Sequence, residues 1–355
     1  CQFPARPLNR NISATIKISG SLKGAKKGDW VKLRLLDSGS KYTESLRGAV
    51  EEPLEKAGTV YGDLLAVARE FDMPGPYTPE LEAFAAKLQP LANVQREDLS
   101  SLFTVTIDPK DAKDFDDALS IEDGEKEWKI GVHIADVAAY VRPGTKLDRE
   151  ARRRAFSSYI PGMFRPMLPR PLTQKISLRQ DADSLAHTVI LTVRKRDGAI
   201  TSTRRTFSLI RVNHRLNYDE VQEFIDGTAP ETWTDELKNA VALLTKATRK
   251  MRARRKRREE FLSFDTPEIR VLCDEATHEI QGIERREQRE SDELVEECML
   301  AANSAVAEEI SIANYAGIYR IHPEPEPEKL DEFTLFVAAL LPHTDDLDGR
   351  CRAPE

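Results

Sequence analysis

The stretch TIDPKDAKDFDDALS, Thr106 to Ser120, decides how the rest of the chain is read. It holds five aspartates, at 108, 111, 114, 116 and 117, with only Lys110 and Lys113 to offset them. Side chains alternate faces along an extended chain, so Asp114 and Asp116 point one way there and Asp117 the other. Asp108 closes the apolar strand VTI, and a turn through PKDAK folds it back toward the other three. Carboxylates this close raise one another's pKa unless a cation neutralises them. Three or four converging oxygens suit magnesium or manganese better than zinc, which prefers nitrogen and sulfur. Two such ions, about 3.5–4 Å apart, organise an in-line displacement at phosphorus. Two other readings stay open on these residues alone: a structural calcium loop and a solvated acidic loop. The acidic positions do not fit an EF-hand, which needs Gly at its sixth place and Glu at its twelfth.

Outward from this cluster the pattern is strand-like. LFTVTID, DALSIED and KIGVHIADVAAYV read as strands, with EDGEKE as a hairpin turn. AHTVILTVRKRDGAITSTRRTFSLIRV alternates over most of its length and turns at Asp197-Gly198, a hairpin signal. Before the cluster, ISATIKIS, DWVKLRLL and LRGAVEE are short strands between Gly, Ser, Lys and Asp turns, the pattern of a small β-barrel. Between the two regions GDLLAVAREFDM and ELEAFAAKLQPLANV are helical, the second opening on a Thr78 cap and Pro79. Later segments, KLDREARRRAFSS, YDEVQEFID, TDELKNAVALLTKATRKMRARRKRREE and SDELVEECMLAANSAVAEEIS, are helical too. The expected fold is α+β: a β-rich N-terminal barrel, then a larger mixed domain.

The 355 residues allow one large domain or two to three ordinary ones. A hydrophobic share of 40% and a charged share of 32% fit a soluble globular protein with a charged surface. No run reaches the roughly 18 apolar residues of a membrane span, and a cytoplasmic protein is expected. Cys1, Cys273, Cys298 and Cys351 are scattered, without a Cys-x-x-Cys pair or zinc spacing. The net charge of −7 does not advertise a nucleic-acid binder, but a local groove of arginines is compatible with an acidic total. Arginine runs at 149–156 and 249–260 are either such phosphate-tracking strips or solvated helix faces. His133 and His322 sit in no ligand or nucleophile-base pattern and are read as structural.

The aspartate stretch closely resembles the signature of the ribonuclease II and ribonuclease R family, whose catalytic module is the RNB domain. Other stretches match in the same order, from about residue 102 to 331: GVHIADVAAYVRPGTKLDREARRRAFSSYIPG, MLPRPL, LNYDEVQEFIDG, FLSFDTPE, LVEECMLAANSAVAE and YRIHPEPEPEKL. The resemblance implies a magnesium-dependent 3′-to-5′ exoribonuclease, with manganese as an alternative ion, that degrades single-stranded RNA to nucleoside 5′-monophosphates. By matching position, Asp108, Asp114, Asp116 and Asp117 are its catalytic and metal-binding aspartates, and Asp111 is a bystander. Tyr159 matches the tyrosine that clamps the 3′-terminal nucleotide. Tyr218 and Glu296 match residues of ribose recognition, with Glu297 an adjacent competitor, and Phe264 matches an aromatic that stacks on the strand. These roles are compatible with elementary recognition: a tyrosine or carboxylate reads the 2′-hydroxyl, and rings stack on any base.

The implied organisation is a partial cold-shock or OB-like barrel at 1–60, a helical linker at 61–98, an incomplete RNB domain at 99–340 and a non-matching tail at 341–355. The family's Ser-Pro-Ile-Arg-Arg-Tyr type segment, whose arginine polarises the scissile phosphate, has no counterpart here, nor has its C-terminal barrel. Impaired activity is therefore an expectation, and a non-catalytic RNA-binding protein derived from such a nuclease is the alternative.

Overall fold

The computed structural model describes residues 4–9, 13–36, 45–92, 94–258, 268–274, 277, 279–319, 321 and 323–340. The N-terminal alternating stretches form a mixed four-stranded sheet. Its strands are β1 (Pro4–Ala5), β2 (Thr15–Ile18), β3 (Asp29–Leu35) and β4 (Ser45–Lys56), in the order β1-β2-β4-β3. This arrangement is consistent with an OB-like module. Helix α1 (Val60–Glu70) packs on it, held by Trp30 Nε1 donating to Asp63 at 2.7 Å and by Arg69 on Glu52 at 2.9 Å.

Helix α2 (Pro79–Ala86) begins as its sequence dictates: the Thr78 hydroxyl accepts from the Leu81 amide, and Pro79, lacking an amide hydrogen, takes the first helical position. It stops at Ala86, short of the helical reading to Val94. Beyond it Pro90 cannot continue a helix, and the Leu91 amide donates to Ala139 instead.

The centre is a seven-stranded mixed sheet of order β13-β6-β7-β8-β11-β12-β5. Its strands are β5 (Glu97–Asp98), β6 (Thr104–Asp108), β7 (Asp117–Asp123), β8 (Glu127–Ala135), β11 (Asp183–Arg194), β12 (Ile200–Arg211) and β13 (His214–Asn217). The central pairs β6-β7-β8-β11-β12 are antiparallel, and the edge strands β13 and β5 join in parallel. Asp197-Gly198 makes the β11–β12 turn as expected, with Gly198 at φ 69° and Arg194 clasping Asp197. A small hairpin, β9 (Ser158–Ile160) and β10 (Met163–Arg165), and a second, β14 (Glu268–Cys273) and β15 (Ile280–Arg286), stand apart from this sheet.

Helices α3 (Lys146–Arg154) and α4 (Arg170–Ile176) join α2 on the core of Ala85, Leu147, Leu172, Ile176, Leu178 and Ile210. Helices α5 (Tyr218–Ile225), α6 (Asp235–Arg258) and α7 (Glu290–Ile312) follow. The first of these carries a full capping box, Asn217 with Glu220. The inner residues Leu237, Val241 and Leu244 of α6 and Leu294 and Cys298 of α7 are buried. Helix α8 (Pro327–Leu340) closes the described chain. Residues 1–303 form one compact unit and 304–355 a second. Among the described residues no helix is long and apolar enough to cross a membrane.

Candidate active site

Because β6 and β7 run antiparallel, with Thr104 opposite Ser120 and Val105 opposite Leu119, the last residue of one and the first of the other lie at the same end of the sheet. Those residues are Asp108 and Asp117. The loop between them is pinned along its length. The Ala112 amide donates to Pro109 (2.9 Å), the Phe115 amide to Ser177 Oγ (3.2 Å), Leu178 to the Phe115 carbonyl (2.9 Å) and Ala135 to the Asp116 carbonyl (2.9 Å). Arg215 Nη2 donates to the carbonyls of Lys110 and Ala112, each at 3.2 Å. The expected turn thus exists and brings Asp108, Asp114, Asp116 and Asp117 to one end of the sheet, while Asp111 turns away to pair with Arg270.

The electrostatics of this end are strained. Asp108 is 8% exposed, and burial, then the neighbouring Asp117 charge, pushes its carboxyl from 3.8 to about 7. Its Oδ2 is buried without a hydrogen-bond partner. Burial and Asp116 push Asp117 up to about 6. Asp116 keeps solvent contact, yet the protein around it and the adjacent Asp114 raise its carboxyl as well. Orphaned, mutually repelling carboxylates are what a hard cation would relieve, so the donor set fits such an ion in chemistry. Among the described residues, however, no three His, Cys, Asp or Glu side chains are gathered closely enough to hold a metal between them.

Two aromatic residues flank the cluster. Asn217 on β13 pairs with Asp108, so the next residue, Tyr218, opens α5 beside the carboxylates. Burial, then Asp117, Asp292 and Asp108, push its hydroxyl up to about 12, and the Arg286 guanidinium lies 5.7 Å from its ring centre. Tyr159, on β9, is 76% exposed; its hydroxyl is raised by partial burial and by Asp114 and Asp116. Opposite it on β10, Phe164 stacks on its ring at 4.8 Å and 26°. Sequence reasoning missed Phe164; the hairpin turn at Pro161-Gly162 was the available signal.

On α7, Glu296 is exposed and accepts from Gln288 at 2.7 Å, whereas Glu297 is buried against Arg255. Of the two candidates only Glu296 is open to a ligand. One residue beyond Glu297, the Cys298 thiol is pushed up to about 12 by burial, by Glu297 and by Asp117. Phe264 and His322 lie outside the described residues.

Several arginines of the two runs are tied to carboxylates. In α6, Arg249, Arg252 and Arg255 meet Glu290, Glu293 and Glu297 of α7 in an interhelical ladder. In α3, Arg154 is buried, stacks 3.6 Å over Tyr77 and donates to Glu150, Gly75 and Pro166. Arg153 pairs with Glu150, and Arg152 remains largely exposed. His133 is structural as read: fully buried, it bridges Ser120 (2.9 Å) and Thr188 (2.8 Å) across the sheet, and burial lowers it to about 4.

Residues 96–349 match the family profile of the RNB domain. The chain is 34% identical over 290 residues to Ribonuclease R of Thermotoga maritima, covering 78% of this chain and 40% of that protein. Of the curated relatives it matches first, the chain spans less than half the length. Among solved structures, Mycoplasma genitalium RNase R in complex with double-stranded RNA superposes with a TM-score of 0.85 at 22% identity, over 92% of this chain and 59% of that one. Yeast Ssd1, described as a pseudonuclease, superposes with a TM-score of 0.63 at 17% identity, over 86% of this chain and 39% of that one. These likenesses support the same fold.

Proposed function

The chain belongs to the RNB-domain family, and from that premise we propose that it is a magnesium-dependent 3′-to-5′ exoribonuclease acting on single-stranded RNA in the cytoplasm. Manganese is an alternative ion, and nucleoside 5′-monophosphates are the product. One observation carries the reading: antiparallel pairing of β6 and β7 sets Asp108 and Asp117 at one sheet end, where Asp108 Oδ2 is buried without a partner and Tyr218 follows the residue paired with Asp108.

In this reading Asp108, Asp114, Asp116 and Asp117 hold the divalent ions. Once bound, these supply positive charge at the scissile phosphate and favour ionisation of the attacking water. The rest falls to the chain's own groups. The exposed Tyr159 ring stacks on the terminal base, which needs no sequence and suits a stepwise degrader. Tyr218, kept protonated by burial and by its acidic neighbours, donates to the 2′-hydroxyl of the terminal ribose, and Glu296 accepts from the same hydroxyl. Both contacts distinguish RNA from DNA. Phe264 takes the further stacking role that its sequence match implies.

A second reading, an RNA-binding protein without catalysis, is favoured by the lack of any three metal-grade ligands in close array among the described residues. The likeness to the pseudonuclease Ssd1 agrees with it. Incubation with unlabelled oligoadenylate, followed by chromatography of the nucleotides released, separates the two. The nuclease reading expects adenosine 5′-monophosphate with magnesium and none with EDTA; intact oligonucleotide in both supports the second.

A further inference from the structure

Arg215 is an exposed residue of β13 whose guanidinium is nevertheless committed. Its Nη2 donates to the Lys110 and Ala112 carbonyls, each at 3.2 Å, on the outgoing arm of the aspartate loop. The same group lies 4.5 Å from the ring centre of Phe115 on the returning arm. Its own amide donates to Gln180 Oε1 at 3.0 Å, which anchors the base of the clamp. Both arms are therefore held by one cation, with Asp114 between the gripped points and Asp116 directly after them. Parallel pairing of β13 with β6, in which Arg215 faces Thr106, fixes this clamp two residues from Asp108.

We propose that Arg215 is a positioning residue for the carboxylate cluster: by gripping both arms of the Pro109–Asp116 loop it sets the spacing of Asp108, Asp114 and Asp116. The inference rests on the reading of that cluster as a nuclease site. Nη2 donates to two carbonyls while the flat guanidinium lies over a ring; a lysine ammonium supplies donors but not that planar stacking, so it is an imperfect substitute. Arg215 has two opposed effects on a bound cation. Its charge repels one, whereas its grip preorganises the ligands, and the second effect is the larger.

The test compares the full chain with Arg215→Met and Arg215→Lys. Expected for both variants are Mn2+ affinity, read by electron paramagnetic resonance, several-fold weaker than wild type, and faster hydrogen exchange at amides 112–116. RNA affinity measured in EDTA stays within twofold, and single-turnover cleavage slows at least tenfold. Tighter Mn2+ binding in Arg215→Met overturns the proposal in favour of a pure charge effect. Loss of RNA affinity with a shallower salt dependence overturns it in favour of a direct phosphate contact. If wild-type protein cleaves no RNA, the nuclease reading fails by itself. Exchange at amides 112–116 then decides the clamp: acceleration in the variants supports it, and no change refutes it.

Discussion

Replacing Asp108 by asparagine should stabilise the metal-free protein while abolishing cleavage. The carboxyl rises from 3.8 to about 7 on folding. At about 1.4 kcal/mol per pH unit, the ionised native form carries at most about 4 kcal/mol of strain relative to the unfolded chain. Solvent reaches the cluster, and Asp108 and Asp117 titrate jointly, so about half of this, ~2 kcal/mol, is the working figure. The sign follows from proton binding. The folded chain keeps a proton that the unfolded chain has released, so this contribution to stability is complete at low pH and is lost as pH climbs through about 7. Asparagine keeps the size and removes the charge. In EDTA at about pH 8 the variant should melt roughly 4 °C higher, and by about pH 4 more than half of that gain should be gone. A variant that melts lower at the higher pH, or gains equally at both, would mean that the Asp108 carboxylate is not destabilising in the folded chain.

Arg255→Met leaves Glu297 buried and uncompensated, which should cost about 2–3 kcal/mol in a urea titration; adding Glu297→Gln should recover part of it, and no recovery would mean the pair is not coupled. Gly131→Ala drives a Cβ into Ser120 Oγ and to 2.7 Å from His133 Nε2, so a loss of about 1–3 kcal/mol is expected in thermal melting, and a neutral result would contradict the packing around His133. Tyr159→Ala should weaken binding of a 5′-labelled oligonucleotide in EDTA roughly 5- to 150-fold, the equivalent of one stacked base, with little change in melting because the ring is exposed.

Local rules made much of the fold legible. Thr78-Pro79 capped a helix, Asp197-Gly198 turned a hairpin, and period-two alternation located β6, β7 and β8. The aspartate cluster was legible for the same reason, since its members flank a single turn between neighbouring strands. What escaped depends on pairings distant in sequence. The arginines of α6 looked like a solvated or phosphate-facing run because the glutamates that neutralise them lie about forty residues on. Their spacing at 249, 252 and 255 against 290, 293 and 297 was the one available clue. Arg215 carried no local signal at all: its carbonyl partners precede it by more than a hundred residues.

In the proposed function, four aspartates at the β6–β7 end form a cation-dependent site that shortens RNA from its 3′ end. The decisive measurement follows a 5′-labelled homopolymer RNA with wild-type protein and with Asp116→Asn, at matched occupancy set from binding in EDTA. Stepwise loss from the 3′ end by wild type with magnesium, and none by the variant at equal binding, is the predicted result. Equal binding by both proteins with no shortening by either would contradict it.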